Sequence, residues 1–288
     1  MFTIGLKEGM AGAMDAYEES ILAERRRREE MLLEDRSWLT LAGLYWLQPG
    51  ENRFGQSPEN DIVLPGDETP ARAGSFYLED EQTTLAVAPG VSITHNGQTV
   101  THLVMKPDST GEPDFIELGD LTMVLLQRGQ RFGIRLWDKA SPVRQAFTRL
   151  RWYPIHPEYR ITAQFVAYDP PRLLPIADVL GDETLRPSPG YVHFIWQGQE
   201  CRLEAEARGD RLFFNFRDLT NDDTTYGAGR FLYAEPPAGG IAILDFNLAT
   251  NPYCAYTDYA TCPLPPAQNR LPVRIEAGEM RFPAAGEI

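Results

Sequence analysis

Two different patterns of apolar and polar positions divide the chain. From residue 13 to about residue 36 there is no Gly or Pro, and Met14, Tyr17 and Ile21 recur at helical spacing. This spacing predicts a single amphipathic helix. After Trp38 the apolar segments become short and are separated by Gly, Pro, Asn and Asp at intervals of about eight to twelve residues. The rest of the chain therefore has the pattern of an all-β protein.

Charged residues along the predicted helix are arranged in pairs of opposite sign, four residues apart: Glu24 with Arg28, Arg25 with Glu29, and Arg26 with Glu30. Pairs at this spacing stabilise exposed helices. We interpret the arginine run at 25–28 as a solvated face, and phosphate binding is the less favoured alternative. The helix is expected to form an arm or a lid.

Strict alternation marks the clearest strand. Along residues 201–208, four small or apolar residues alternate with four charged ones: Cys201, Leu203, Ala205 and Ala207 with Arg202, Glu204, Glu206 and Arg208. Because successive side chains of a strand point to opposite faces, one face is predicted to be buried and the other wet. Gly209 and Asp210 supply turn residues, and 212–216 is predicted to return as the second strand of a hairpin.

A second hairpin is predicted between residues 121–127 and 131–137. No long helical pattern lies between strands, so parallel βαβ units are not expected. The sequence predicts a mainly β fold: two packed antiparallel β subdomains, as sandwiches or barrels, preceded by an α-helix. We place the helical arm at 1–36, a β-sandwich at 37–119 and a C-terminal antiparallel β domain at 120–288.

Composition excludes several classes of function. The 288 residues have 43% hydrophobic and 24% charged side chains, which is typical of a globular protein. The formal net charge of −14 repels phosphate backbones, so nucleic acid is not an expected partner. The first twenty residues lack a basic start and a sustained apolar run, and no later stretch is long enough to span a membrane. We therefore expect a soluble, cytoplasmic protein without a membrane partner.

The number and spacing of the cysteines and histidines argue against metal sites and disulfide bonds. The three cysteines are too few for a disulfide scaffold and fit a reducing compartment. The four histidines form no ligand-spaced pair with one another or with a cysteine, so no metal or other cofactor is predicted. Cys254 and Cys262 are expected to be buried and inert, since no His lies near them in the chain. Cys254 is the better candidate if one of them is reactive.

Candidate site residues cluster in the second half of the chain, near predicted strand ends. Arg135 lies on the strand face opposite three apolar residues, where its guanidinium could bind a carboxylate or phosphate. An ion pair of Arg135 with a local acid such as Asp138 is an equally good alternative. Asp218 follows one apolar strand and Arg230 begins another, so we predict that they pair, more often for structure than for catalysis.

Asp218 and Asp245 are the candidate catalytic residues, because two carboxylates facing one another across a pocket can act as acid and base. Turn formation is the alternative explanation for the Asp and Asn residues of this region. Six residues are predicted to bind ligand: Arg135, Asp138, Tyr226, Arg230, Asn247 and Asn269.

Three long segments carry a family resemblance: SWLTLAGLYWLQPGENRFG, DLTNDDTTYGAGRFL and CAYTDYATCPLPPAQNRLPV. They resemble a bacterial family known as domain of unknown function number sixteen eighty-four, and the likeness extends from about Ser37 to Glu279. This chain departs from the family's usual sequence at Tyr253 and Asp258, beside Cys254. The resemblance implies a common fold but no reaction.

A second, weaker resemblance concerns residues 50–101. The segments GENRFGQSPENDIVLPG, GSFYLED and THNGQTV resemble a forkhead-associated domain, which implies a β-sandwich. Those domains bind phosphothreonine through an Arg after the first glycine and a later Ser, whereas this chain has Gln56 after Gly55. We therefore expect the scaffold without phosphothreonine recognition. Asn96 and Gly97 match the pattern but are also an ordinary hairpin turn.

Three functional hypotheses follow. The first is an enzyme or small-molecule binder with a polar pocket in the C-terminal β domain, suited to an anionic or polyhydroxylated ligand, with hydrolysis as the default reaction. The second is a protein-interaction module that uses loops near Gly55 and Asn96, with Arg53 or Arg72, or the helical arm. The third is a purely structural β protein. The first is favoured modestly over the second.

Overall fold

A computed structural model of the chain describes residues 2–179 and 181–283, with side chains from residue 14 onward. The chain forms two compact units. The sandwich unit is Leu32–Phe147, and the barrel unit combines Met1–Met31 with Thr148–Ile288. β-strand is the predominant secondary structure, as predicted. Within the described part of the chain, no helix is long and apolar enough to cross a membrane.

The sandwich unit contains two sheets and a short helix α2 (Pro142–Ala146). Across residues 32–147, all of which are described, the strands are β1 (Leu41–Trp46), β2 (Gly50–Gly55), β3 (Ile62–Val63), β4 (Gly74–Glu79), β5 (Gln82–Val87), β6 (Ile93–His95), β7 (Gln98–Val100), β8 (His102–Met105), β9 (Phe115–Leu118), β10 (Leu121–Arg128) and β11 (Arg131–Asp138). One sheet has the order β1-β11-β10-β9-β6-β7 and the other β3-β2-β4-β5-β8.

Apolar side chains from both sheets form one core in the sandwich unit. Phe54 and Phe76 stack there with ring centroids 4.6 Å apart, and both are fully buried. The predicted Asn96-Gly97 turn joins β6 to β7 with both residues at positive φ, which this tight turn requires. The strand pairs are antiparallel except that β2 and β3 run parallel, against the expectation.

The boundary predicted near Gly119 lies within the sandwich unit. β9 and β10 pair antiparallel on either side of Gly119, which is a turn glycine at φ 58°. β10 also pairs with β11, the second predicted hairpin, and β11 pairs with β1. Because these ladders hold β10 and β11 in the first sheet, the unit ends at Phe147 rather than at residue 119.

The barrel unit begins with helix α1 (Phe2–Leu32), which starts earlier than the predicted residue 13. Within the described part of this unit the strands are β12 (Arg160–Ala177), β13 (Glu183–Trp196), β14 (Gln199–Arg208), β15 (Arg211–Phe216), β16 (Arg230–Ala234) and β17 (Ile241–Asp245). They form an antiparallel sheet of order β16-β15-β14-β13-β12-β17. The two edge strands contact each other, so the sheet curls around an apolar core.

The hairpin predicted from residues 201–216 is confirmed as β14 and β15. The face of β14 that was predicted to be exposed to solvent is, however, partly buried. Glu204 and Glu206 are each 4% exposed. Arg202 and Arg208, two residues away on the same face, form ion pairs with them at 2.5 and 3.1 Å, which compensates their burial. The alternation of apolar and charged residues therefore predicted the strand correctly, but the exposure that it predicted for the two glutamates was wrong.

Candidate functional site

The predicted ion pair between Asp218 and Arg230 is present, and both side chains are fully buried. Arg230 also donates from Nη1 to the carbonyl oxygen of Ala277 at 2.5 Å and from Nη2 to that of Ile275 at 2.9 Å. Asp218 Oδ1 accepts from the backbone N–H of Thr220 at 2.7 Å and caps a short 3-10 helix over Leu219–Asp222. These contacts favour the structural role of the pair.

Two other predicted residues also bind backbone. The Asn269 side chain joins β14 to β15: Nδ2 donates to the carbonyl oxygens of Glu204 and Asn215 at 3.0 and 2.9 Å, and Oδ1 accepts from the Glu204 N–H at 2.7 Å. The Tyr226 hydroxyl donates to the carbonyl oxygen of Cys254 at 2.9 Å. Asn269 is 1% exposed, so it acts from inside the barrel unit.

Asp245 and Asn247 lie beside helix α1. The Tyr17 hydroxyl is 2.8 Å from Asp245 Oδ2 and 3.0 Å from Oδ1, and Asn247 Nδ2 donates to the same hydroxyl at 3.0 Å. Asn247 also donates to the carbonyl oxygen of His156 at 2.9 Å. Burial, followed by the bond to Asp245, raises the pKa of Tyr17, so this hydroxyl stays protonated at neutral pH. A catalytic role for Asp218 and Asp245 stays a prediction.

The arginine run of helix α1 is not the solvated face that the sequence predicted. Arg25 is 7% exposed and donates to the carbonyl oxygens of Tyr153 and Asn247 at 3.0 and 3.2 Å. Its guanidinium lies 4.7 Å from the centroid of the Trp152 ring. Arg28 is bound to the buried Glu279 at 3.1 Å. The interpretation was wrong at these two arginines because their partners come from distant parts of the chain.

We expect Tyr17→Phe to lower the free energy of unfolding by about 1.5–3 kcal/mol, because a hydrogen bond to a charged group is lost. Urea unfolding followed by circular dichroism measures this change. Tyr259→Phe is the matched control, since Tyr259 is 42% exposed and its substitution is expected to change the free energy by less than about 0.5 kcal/mol. Equal effects of the two substitutions would refute the anchoring role of Tyr17.

Arg135 and Asp138 belong to the sandwich unit, whereas the other predicted site residues belong to the barrel unit. The Arg135 guanidinium lies 5.6 and 5.9 Å from the ring centroids of Trp38 and Trp137. Asp138 Oδ1 accepts from the N–H of Ala140 at 2.8 Å, which is a local turn contact. Their ligand-binding roles stay predictions.

Asp138 also borders a depression of about 520 Å³ whose acidic lining residues are Asp67, Glu68, Asp120 and Asp138. This lining is a poor match to an anionic ligand. Over the described residues, no three His, Cys, Asp or Glu side chains are grouped as metal ligands would be.

A groove on the outer face of the barrel unit was not predicted from the sequence. It has a volume of about 410 Å³, and strands β12, β13 and β14 supply its lining: Gln164, Val166, Tyr191, His193, Glu200, Cys201 and Arg202. The register places Gln164 opposite His193 and His193 opposite Arg202, so these side chains are direct neighbours on one face. No signal in a single strand reveals this, because the three come together only through strand pairing.

Arg202 is held rigidly at the groove. Its Nη2 donates to Tyr168 Oη at 2.9 Å and to Glu204 Oε1 at 2.5 Å, and its Cζ lies 3.6 Å from the centroid of the Tyr191 ring. Burial, then the bond to Glu204, raises the pKa of Tyr168. The Arg202 side chain nevertheless remains 46% exposed, so the guanidinium both packs on the sheet and faces solvent.

Basic residues near the forkhead-like loops of the sandwich unit are paired with acids. Arg53 lies 3.3 Å from Asp61, and Arg72 lies 3.0 Å from Glu51. A phosphopeptide would have to compete with these carboxylates. No observation in this unit adds support to the hypothesis of a protein-interaction module.

Comparison with solved structures finds two kinds of likeness. An uncharacterized protein of Haloarcula marismortui is 31% identical, with a TM-score of 0.41, over 48% of this chain and 78% of that protein. Forkhead-associated domains, among them the FhaA domain and one from a study of phosphothreonine-dependent interactions, are 17% identical with TM-scores of 0.24. They match 32% and 33% of this chain over 96% and 92% of their own lengths.

No curated protein matches the chain. The model of the family described as "Protein of unknown function (DUF1684)" matches residues 145–280, which include the whole sheet of the barrel unit. The family carries no assigned reaction, in agreement with the resemblance found in the sequence. Residues 145–280 of the chain belong to this uncharacterised family.

Proposed function

We propose that the barrel unit binds a small anionic or polyhydroxylated ligand in the groove above strands β12, β13 and β14. One observation carries the proposal: Arg202, His193 and Gln164 meet on the same face beside the Tyr191 ring, over a groove of about 410 Å³. Concave sites with a few convergent polar groups are the usual form of small-molecule sites.

The chemistry of the groove suggests what the ligand carries. An arginine fork matches carboxylate and phosphate oxygens, because its N–H donors lie in one plane. Gln164 supplies both donor and acceptor atoms and His193 can supply either, which suits hydroxyl groups. The neighbouring tyrosine rings offer apolar surface for a sugar or another ring. A sugar acid or sugar phosphate combines these features.

Positioning of Arg202 supports a binding role in particular. Within the described part of the chain, the hydrogen bonds of Arg202 to Glu204 and Tyr168 both use Nη2. The other two guanidinium nitrogens, Nη1 and Nε, are therefore available to a ligand. A side chain already fixed by its neighbours loses less conformational entropy when a ligand binds. The barrel unit is thus proposed as a binder with a preorganised cation.

The test is a thermal-shift screen of the full chain against sugar acids, sugar phosphates and polyols, followed by calorimetry of any compound that raises the melting temperature. We expect Arg202→Gln to weaken binding of such a compound about 10- to 100-fold, as for the loss of a charge-assisted hydrogen bond. Calorimetric titration of both proteins measures the ratio of dissociation constants.

Arg208→Gln is the matched control. Arg208 pairs with buried Glu206 on the same strand, as Arg202 pairs with Glu204, but it is not among the lining residues of the groove. The two substitutions should therefore cost similar stability, while only Arg202→Gln weakens binding. The proposal fails if no compound of these classes binds, or if a bound compound is weakened equally by both substitutions.

A further inference from the structure

Two cysteines of the barrel unit lie in direct contact, away from the groove. The backbone N–H of Cys254 donates to the sulfur of Cys262 at 3.2 Å, and the two thiols are close enough to shift each other's pKa. Both are free thiols. They are eight residues apart in the chain, and Cys254 lies in the short 3-10 helix Tyr253–Ala255. The 3.2 Å contact brings the Cys262 sulfur to the backbone of Cys254, beside its thiol, which is the proximity that disulfide formation requires.

The two thiols differ in exposure and in surroundings. Cys254 is half-buried, whereas Cys262 is 3% exposed. Cys262 is also fixed by its backbone, since its carbonyl oxygen accepts from the N–H of Val179 at 3.1 Å. An accessible thiol beside a buried, rigid one is the arrangement in which one sulfur meets an oxidant and the other reacts afterwards.

Hydrogen bonds favour the thiolate at Cys254. The Cys262 thiol and then the Tyr226 hydroxyl lower the pKa of Cys254 to about 7, against the effect of burial. The same contact with Cys254, together with burial, raises the pKa of Cys262. Cys254 therefore ionises first and is the nucleophile of the pair, because the thiolate is the reactive form.

We propose that Cys254 and Cys262 form a peroxide-reactive dithiol site, in which Cys254 attacks and Cys262 resolves. The Cys254 thiolate attacks one oxygen of a hydroperoxide, the O–O bond breaks, and the leaving oxygen takes a proton and departs as an alcohol or water. The resulting sulfenic acid is attacked by the Cys262 sulfur, which forms the S–S bond and releases water. Two thiols are oxidised to one disulfide while the peroxide is reduced by two electrons.

Mass spectrometry of the full chain treated with hydrogen peroxide tests the product. We expect an intrachain disulfide between Cys254 and Cys262, with Cys201 still a free thiol. In Cys262→Ser, dimedone should label a sulfenic acid at Cys254, and in Cys254→Ser no sulfenic acid should form at Cys262. A disulfide that contains Cys201, or oxidation of Cys254 no faster than that of Cys201, overturns the proposal.

The pH dependence of thiol alkylation tests the proposal on the unsubstituted chain, so the result does not depend on whether the Ser variants fold. The rate of iodoacetamide alkylation at Cys254, followed by peptide mapping, should have its inflection near pH 7. At that pH the thiolate fraction is about 15-fold that of an ordinary cysteine. Tyr226→Phe should move the inflection upward, because the Tyr226 hydroxyl beside Cys254 lowers the pKa of its thiol. An inflection near the ordinary cysteine value in the unsubstituted chain refutes the proposed nucleophile.

Discussion

Asp218→Ala is expected to lower the free energy of unfolding by about 3–5 kcal/mol, which is the usual cost of leaving a buried charge without its partner. Arg230 is fully buried, and its other hydrogen-bond partners among the described residues are neutral carbonyl oxygens. The substitution also removes the cap of the following 3-10 helix. Urea unfolding measures the total effect, and amide hydrogen exchange in strands β15 and β16 assigns it to the barrel unit.

Asp222→Ala is the control in the same loop. Asp222 is 73% exposed and lies 3.5 Å from Arg217, so its loss should cost less than about 1 kcal/mol. Combining Asp218→Ala with Arg230→Met removes both charges, and we expect the double variant to recover much of the lost stability. If Asp218→Ala behaves like Asp222→Ala, or if the double variant is no more stable than the single one, the pair does not stabilise the barrel unit as argued.

This ion pair was predictable because both residues lie where apolar strands end or begin. A residue at the end of β15 and one at the start of the neighbouring β16 are brought together by an ordinary antiparallel connection. The hairpins of residues 121–137 and 201–216 were predictable for the same reason, since alternation and turn residues are local signals. The fold class rests on such local information.

The alternating pattern does not predict the burial of Glu204 and Glu206, because charged residues on one face of a strand usually indicate exposure to solvent. The sequence Arg-Leu-Glu-Ala-Glu-Ala-Arg at 202–208 does contain a signal. Each glutamate has an arginine two positions away, which lies on the same face of a strand and can neutralise it. Residues of opposite charge that lie two positions apart on a strand can therefore be buried together as an ion pair.

The contacts of helix α1 could not be predicted from local spacing. Glutamate–arginine pairs four residues apart are expected whether a helix face is exposed or not, so the run 25–28 could not be distinguished from a solvated face. The partners of Arg25 and Arg28 include Asn247 and Glu279, more than two hundred residues later. The groove at Arg202 was missed for a related reason, because it depends on the register of three strands.

Arg28→Ala is expected to detach helix α1 locally from the rest of the barrel unit. Arg28 donates from Nε to Glu279 at 3.1 Å and from Nη2 to the carbonyl oxygen of Asn251 at 2.9 Å. Glu279 is fully buried and also accepts from the Tyr256 hydroxyl and from Asn251 Nδ2. Burial and Glu279 keep the pKa of Tyr256 well above its usual value, so Tyr256 remains a neutral donor. Without Arg28, the buried carboxylate loses the cation that is bound to it.

The expected cost is about 3–5 kcal/mol, with faster amide exchange along residues 14–32 before the strands are affected. Arg27→Ala is the matched control on the same helix: Arg27 is 68% exposed, and its contact with Glu24 is 3.7 Å long, so about 0.5 kcal/mol or less is expected. Hydrogen exchange with mass spectrometry separates the two outcomes. If both variants leave the exchange of the helix unchanged, the contact between Arg28 and Glu279 does not anchor it. If only Arg28→Ala accelerates it, the helix is held by this buried pair and not by its apolar residues alone.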